Sequence, residues 1–232
     1  DQDPPSGFRP RLSAGGELSY HPTNSLVLDT TVLPDFGQVE ADQIVFNLSN
    51  FEVFFPERRP FFLSGNDLYA LHDELGNTTQ TQLFYSRRVG RPPPPPALGP
   101  GERLLYQPVQ NDIWGAAKLT GKLGDHLNLA LLDAVPARSF ASVLRDDGRE
   151  GRQAVSPLSN YAVARLRGVL GGGVTLGGEA AAVNRRDVGL EGPGGCPDTA
   201  APASADGRCT HDAYTGALDA LWSSPQGDYA AS

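Results

Sequence analysis

An alternation of apolar and polar residues runs through most of the chain. In residues 213–223, Leu218 and Trp222 fall in one phase, whereas Thr215 and Asp219 fall in the other. A period of two is the mark of a β-strand with two different faces. Comparable runs predict strands at residues 16–33 (two runs around a His-Pro-Thr-Asn turn), 111–120, 127–135, 158–170 and 174–185. The chain is therefore predicted to be all-β, an antiparallel meander of long hairpins.

The connections between these strands alternate in length. Short turns are expected at residues 121–126, 171–173 and 225–228, and long loops at 136–157 and around the two cysteines. Strands of about 9–12 residues are long enough to cross a bilayer at a tilt. This combination is typical of a transmembrane β-barrel, although a soluble sheet with one wet face gives the same alternation. Because a strand begins near the end of the chain, we expect the barrel to be incomplete at its C-terminus.

Two strands carry charged or aromatic residues that complicate the assignment of their faces. In residues 158–170, Tyr161 shares a phase with Arg165 and Arg167, so the orientation of this strand stays open. In the strand that begins at residue 111, Ile113 has the phase of Leu119, whereas Trp114 has the phase of Lys118. Tyr214 and Trp222 lie at the two ends of one apolar phase, as expected of residues at two membrane interfaces.

The N-terminal third breaks the alternation. Residues 1–14 are rich in proline and polar residues and predict a linker, which leaves residues 15–232 as one barrel domain. Residues 34–81 mix phenylalanines with charges and have neither strand nor helix periodicity, so we expect a plug-like insert in the sheet. A short helix at residues 68–75, a strand at 83–89 and a proline-rich loop at 91–103 are expected after it.

The charged residues of this insert and of the strand after it form the one constellation of interest. Carboxylates here could serve as an acid/base pair on a glycoside or as calcium ligands. Buried charges must be paired, however, so we expect ion pairs that fix the insert on the polar, inward side of the sheet, with its phenylalanines forming a small core. The candidate polar network consists of Asp35, Glu40, Asp42, Glu52, Glu57, Arg58, Arg59, Arg87 and Arg88.

The composition and the spacing of reactive residues argue against several classes of binding and catalytic site. The formal charge of −8 argues against nucleic acid as a partner. The four histidines lack the spacing of zinc ligands, and neither a G-x-S-x-G elbow nor a phosphate-binding loop occurs, so no catalytic residue, metal or cofactor is predicted. Cys196 and Cys209 are the two cysteines, close together in a loop-like stretch, so we expect a disulfide between them, which favours an oxidising compartment.

Several long motifs resemble those of a known family. They are PDFGQVEAD, FEVFFPERRPFFLSGNDL, LFYSRRVGR, GAAKLTGKLG and SPLSNYAVARLR, spread over residues 34–167. They resemble a bacterial family of large outer-membrane β-barrel proteins of unknown function, sometimes labelled membrane-associated hydrolases, in which the barrel follows a family-9-like carbohydrate-binding domain. The resemblance implies a bacterial outer-membrane location, lipid as a partner and glycan as a candidate partner. It favours transport or anchoring, with an envelope hydrolase acting through carboxylates of residues 35–57, or a structural scaffold, as alternatives.

Overall fold

The computed structural model describes residues 14–34, 54–69, 83–197, 203–224 and, for the backbone alone, 230–231. The strands are β1 (Gly16–Thr23), β2 (Leu26–Val32), β3 (Arg103–Tyr106), β4 (Ile113–Leu123), β5 (Leu127–Pro136), β6 (Ser139–Leu144), β7 (Glu150–Ser156), β8 (Leu158–Val169), β9 (Val174–Arg186), β10 (Ala213–Ser223) and β11 (Ala230–Ala231). One helix, α1 (Pro60–Leu63), and short 3-10 turns complete the described elements. The predicted all-β class is confirmed.

Eight strands form one antiparallel sheet in the order β1-β2-β4-β5-β8-β9-β10-β11. Each strand pairs with the next one in the sheet, as expected of a meander built from hairpins. Within the described residues the sheet does not close on itself, since β1 and β11 each pair on one side only. No helix in the described ranges is long and apolar enough to cross a membrane.

The register gives the sheet two chemically different faces. One cross-strand row on the first face is Asp29, Lys118, Leu132, Val163, Ala181 and Thr215. The adjacent row on the opposite face is Leu28, Leu119, Leu131, Ala164, Ala180 and Gly216. We call the face that carries the first row the inner face and the other the outer face.

The main core lies between the inner face and the segment formed by residues 54–69, which we call the packed segment. Its buried Phe61, Phe62 and Tyr69 contact a cluster of inner-face residues and two residues that follow the insert, namely Ile113, Ala116, Ala130, Leu132, Ala134, Val163, Phe84 and Val89. The rings of Phe61 and Phe62 meet edge to face, with centroids 5.1 Å apart. The core is therefore built between a sheet and an irregular segment, and not between two sheets.

A three-stranded sheet of order β3-β6-β7 stands beside the main sheet. The prediction of a long loop at residues 136–157 is wrong, because β6 and β7 pair as a hairpin across this stretch. The alternate residues Ala141 and Val143 of β6 are buried, which gives the hairpin an apolar side to pack. The predicted proline-rich loop also ends early, since Arg103 already begins β3.

Two further predictions differ from the structure. The strand expected at residues 83–89 is instead a short 3-10 turn, Ser86–Arg88, framed by extended residues. A β-bulge at the start of β4 turns Ile113 into the core, whereas Trp114 is exposed, so their predicted faces are exchanged. The expected helix at residues 68–75 lies largely outside the described residues, and its described beginning belongs to the 3-10 turn Asn66–Tyr69.

The predicted disulfide between Cys196 and Cys209 is confirmed, with 5.4 Å between the two Cα atoms. It closes the long loop between β9 and β10. This loop rests on the small sheet at Gly192, where an added Cβ would come within 1.8 Å of the side-chain nitrogen of Gln153. The side chain of Gln153 in turn donates a hydrogen bond to the carbonyl of Ala97, at 3.1 Å.

Replacing both cysteines by serine should lower the free energy of unfolding by about 3 kcal/mol, because the disulfide restricts the unfolded chain. Urea titrations of the wild type and of the double variant measure this difference. Adding a reductant to the wild type should give the same loss, which provides the control. Equal stability of the oxidised wild type and the double variant would contradict the prediction.

Candidate functional site on the inner face of the sheet

Charged residues are concentrated on one face of the main sheet. By register, eight of the charged residues in the six strands β2, β4, β5, β8, β9 and β10 point to the inner face: Asp29, Lys118, Lys122, Arg165, Arg167, Glu179, Arg185 and Asp219. The remaining two, Asp133 and Arg186, lie on the outer face near the edge from which the long loops emerge. The polar chemistry of the sheet is therefore concentrated on its inner face.

Lys118, in the middle of β4, joins the sheet to the packed segment. Its side chain is 1% exposed. The Nζ atom donates hydrogen bonds to the carbonyl oxygens of Phe61 and Ser64, both at 2.6 Å. These carbonyls belong to the end of α1, where backbone acceptors have no partner within the helix. The carboxylate of Asp29, 3.6 Å from Nζ, supplies the opposite charge. One buried cation thus satisfies the helix end and holds the segment on the sheet.

A second charged group lies across β8, β9 and β10. Arg165 is 2% exposed, and its NH1 group forms a short ion pair with the carboxylate of Asp219. These residues sit on strands that are not neighbours, so the carboxylate must reach over β9. It does so at Gly177, which pairs directly with Asp219 and has no Cβ to block the way. An ideal Cβ at Gly177 would lie 2.4 Å from an oxygen of Asp219.

Several buried polar atoms near this pair have no hydrogen-bond partner in the described part of the chain. They are the Nε and NH2 groups of Arg165, both carboxylate oxygens of Glu179 and the hydroxyl of Tyr69. Arg165 and Glu179 are direct cross-strand partners. Burial and the negative charge of Glu179 together raise the pKa of Tyr69, so its hydroxyl stays protonated and available as a donor. The inner face therefore holds unused donors and acceptors side by side.

Arg59 forms the principal polar contact inside the packed segment. Its Nε and NH2 groups bind the two oxygens of Glu57, at 2.9 and 2.7 Å. NH1 donates to the carbonyl of Val89 and NH2 to that of Ser86, at 2.6 and 2.8 Å. The guanidinium also stacks on Phe62, 4.2 Å from the ring centroid. Arg59 thus ties the start of the segment to the 3-10 turn that follows the insert.

The electrostatics of Glu57 reflect this contact. Burial alone would raise the pKa of Glu57, but the hydrogen bonds and charge of Arg59, with the hydroxyl of Ser86, lower it from 4.5 to about 2. The Ser86 hydroxyl donates to Glu57 at 2.6 Å. A carboxyl group held this firmly in its charged form is a structural anion, and a poor general acid at neutral pH.

The other residues of the predicted polar network are distributed as follows. Arg87 donates to the carbonyl of Pro56, at 2.9 Å, and its guanidinium lies 5.9 Å from the ring centre of Phe55. The backbone of Arg58 donates to Glu57, whereas Arg88 lines a separate cleft beside the proline-rich loop. Of the four described phenylalanines in the segment, Phe54 is exposed and so falls outside the predicted core. Asp35, Glu40, Asp42 and Glu52 lie outside the described residues.

Sequence reasoning did not select the charges that occupy the sheet itself. Lys118 and Glu179 are each flanked by apolar or small residues near the middle of a strand, whereas Arg165 shares its strand and phase with Arg167. A charged residue near the middle of a strand, in the phase opposite to the leucines, is the sequence feature that would have indicated these positions. In the described part of the chain, no group of three or more His, Cys, Asp or Glu side chains is arranged to hold a metal ion.

The family described as Domain of unknown function (DUF5916) matches residues 6–170, well over half of the chain. The match covers β1 to β8, with Lys118 and Arg165, and ends before β9, which carries Glu179. No curated protein and no solved structure matches this chain.

Replacing Arg59 by alanine should destabilise the protein by about 3–5 kcal/mol, because the buried carboxylate of Glu57 would lose its cation. Urea unfolding of the variant measures the loss. Arg103→Ala, at an exposed position of β3, removes the same charge and should change stability by less than about 0.5 kcal/mol. Indistinguishable unfolding of both variants and the wild type would rule out this role for Arg59.

The depressed pKa of Glu57 predicts a specific acid sensitivity. The stabilisation is complete above the unfolded pKa of 4.5 and is lost as the pH falls through about 2. Its size is about 3 kcal/mol, from the change in pKa. The stability difference between the wild type and Glu57→Gln should therefore shrink as the pH is lowered from 5 to about 2. The exposed Glu150→Gln serves as control and should show no such trend. A difference for Glu57→Gln that is independent of pH would refute the prediction.

Proposed function

This chain belongs to the DUF5916 family, whose description assigns no activity. From the geometry of the sheet, we propose that the chain forms part of the wall of a bacterial outer-membrane β-barrel through which solutes pass. In this proposal the outer face contacts lipid, the inner face lines the lumen, and the packed segment narrows it as a plug. The resemblance of its motifs adds glycans as candidate cargo.

The main support for this proposal is that large apolar side chains lie on the outer face of the sheet and charged side chains lie on its inner face. Outer-face positions expose large apolar side chains: Leu18, Tyr20, Val32, Leu123, Leu131, Leu166, Leu176, Tyr214, Leu218 and Trp222. The inner face buries Lys118, Arg165 and Glu179. A soluble half-buried sheet would bury its leucines and expose its charges. A barrel wall in lipid has the arrangement found here, with apolar residues outside and polar residues inside.

The dimensions of the apolar face also suit a membrane. From Tyr214 to Trp222 the strand rises roughly 27 Å along its own axis, at 3.3–3.4 Å per residue. At the tilt of about 35–45° found in outer-membrane barrels this corresponds to a height of about 19–22 Å, which spans most of their roughly 25 Å apolar band. Polar contacts mark one border of this band. The Asn160 amide donates to both carboxylate oxygens of Asp133, at 3.0 and 2.9 Å. The hydroxyl of Tyr214 donates to Asn184 at 2.8 Å, so the tyrosine keeps its polar end at this border.

The connections support the same orientation. The short β1–β2, β4–β5 and β8–β9 turns emerge from one edge of the sheet. The insert, the β6–β7 hairpin and the disulfide-closed loop all emerge from the other edge. In outer-membrane barrels the short turns face the periplasm and the long loops face outward. The disulfide is consistent with an oxidising compartment.

A hydrolase is less well supported. The one described carboxylate of the proposed catalytic group, Glu57, is occupied by Arg59 and Ser86. A glycosidase acid must instead be able to release its proton near the operating pH. Transport therefore has the stronger support of the two.

Leu218→Arg discriminates between a lipid-facing and a water-facing sheet. Leu218 lies in the middle of β10 and is 90% exposed. In water the substitution should be nearly neutral, whereas on the lipid face of a barrel it should cost about 2–4 kcal/mol. The measurement is urea unfolding of the full-length protein folded into lipid vesicles. Val109→Arg, at an 84% exposed loop position, is the matched control and should be neutral.

Conductance of the full-length protein in planar bilayers tests the lumen. We expect ion-conducting events that increase in Arg59→Ala, where the plug is loosened. A neutral Leu218→Arg variant, or failure of the protein to insert into vesicles, would overturn the proposed function.

A further inference from the structure

We propose that a cavity on the inner face, beneath the 3-10 turn Asn66–Tyr69, is a binding subsite for a carboxylate group. The proposal rests on the proposed function for the location of this site in a lumen, and it assigns a solute class to that lumen. The cavity has a volume of about 200 Å³ and is lined by Asp67, Leu68, Asn128, Ala130, Arg165 and Arg167, with Leu129. This space is sufficient for a small organic acid or for one sugar residue.

Arg165 provides the primary argument. Its guanidinium is buried, and its NH1 group is used by Asp219. The Nε and NH2 groups, which form the other edge of the same planar group, are buried without any partner in the described residues. Two parallel N–H donors on one edge match the two oxygens of a carboxylate. A buried donor without an acceptor costs free energy, so a ligand that supplies two acceptors would be stabilised there.

Arg167 places a second cation on the same cavity. It lies two residues further along β8, on the same face as Arg165, and is half-buried. The side chains of Arg167 and of Asn128, its cross-strand partner on β5, form no hydrogen bond or ion pair with the described part of the chain. The cavity therefore offers two guanidinium groups and an amide to one ligand.

The neighbouring carboxylates limit the charge of that ligand. Asp67 lines the cavity, and Asp219 is bound to Arg165. Glu179, the direct cross-strand partner of Arg165, adds a third carboxyl group. A dianion such as phosphate would be repelled by these carboxylates, whereas a monocarboxylate needs less positive charge. Hydroxyl groups beside the carboxylate could donate to the carboxylate of Asp67 or to the carbonyl of the Asn128 side chain. The geometry is therefore suited to a hydroxylated monocarboxylate, either a small hydroxy acid or an acidic sugar.

The position of the cavity places the proposed carboxylate subsite on the path of a solute through the lumen. Arg167 and Asn128 lie beside the short turns that join β8 to β9 and β4 to β5. The packed segment covers the inner face between this cavity and the long-loop edge. A solute that passes the segment would meet the two arginines next, at the short-turn end of the sheet.

Calorimetric titration of the full-length protein in detergent micelles tests the subsite. The ligands are acetate, glycolate, glucuronate, glucose and inorganic phosphate. Acetate binding would identify the carboxylate as sufficient, and glycolate or glucuronate should bind more tightly because of their hydroxyl groups. Glucose and phosphate should bind at least tenfold more weakly than glucuronate. Comparing the affinities for glycolate and glucuronate shows whether the subsite prefers a small hydroxy acid or a sugar acid.

Arg167→Gln should weaken glucuronate binding about tenfold, because one charge-assisted interaction is lost. Arg167→Lys, which keeps the charge and loses the planar fork, should fall between this variant and the wild type. Arg103→Gln removes the same charge from the small sheet and should bind as the wild type does. An unfolding midpoint of Arg167→Gln equal to that of the wild type confirms that the variant is folded.

The absence of binding by both acetate and glucuronate would overturn the proposal. The same holds if phosphate binds as tightly as glucuronate, if Arg167→Gln binds normally, or if Arg103→Gln loses as much affinity. Binding in micelles does not depend on passage through a membrane. If glucuronate binds but Leu218→Arg is neutral in vesicles, the transport function is wrong and the binding subsite still stands. Conductance without carboxylate binding would remove the subsite alone.

Discussion

The burial of charge on one face of a sheet is the constraint on which this structure depends. Lys118 and Arg165 are almost fully withdrawn from solvent, although each carries a charge. Such groups cost several kcal/mol each unless they receive partners. Lys118 receives them from the carbonyls at the end of α1, so the packed segment and the sheet stabilise one another. The phenylalanines of the segment then exclude water from the contact.

This cover explains why the two faces of the sheet differ. Once the packed segment occupies the inner face, the hydrophobic residues of the core come from the segment and from small inner-face residues such as Ala130 and Ala134. The large leucines of the opposite phase are left without any protein layer over them among the described residues. An exposed apolar face of this extent is unusual for a water-soluble domain. The packing of the packed segment on the inner face and the apolar outer face are therefore two results of the same arrangement.

The sequence predicted the long strands well, because in β4, β5, β8, β9 and β10 the alternation of side chains reports directly on the two faces. It predicted the disulfide for an equally local reason, since both cysteines lie in one loop. It failed where a single residue changes the register, as at the bulge that exchanges Ile113 and Trp114. The β6–β7 hairpin was obscured by its charged turn, although Asp147-Gly148 is a turn signal.

The candidate site was harder to predict than the fold, because its residues are distant in sequence. Arg165 and Asp219 are 54 residues apart and meet only because β9 has a glycine between them. Lys118 reaches the carbonyl of Phe61, 57 residues away. Contacts of this kind depend on the sheet order and register, which periodicity alone does not provide. The ion pair of Arg59 and Glu57, by contrast, is local and lay within the stretch that the sequence singled out.

The alanine and glycine content of the central strands has a consequence for folding. A slip of two residues between β8 and β9 would leave every side chain on its proper face, and small residues such as Ala162, Ala164, Ala180 and Ala182 would pack almost equally well. The slip would, however, move Glu179 from Arg165 to Arg167 or Val163, and it would shift Arg165 by two residues relative to Gly177 and to Asp219, which reaches over that glycine. The buried charges thus favour the correct register of the strands over registers shifted by two residues, and so contribute to the specificity of strand pairing during folding.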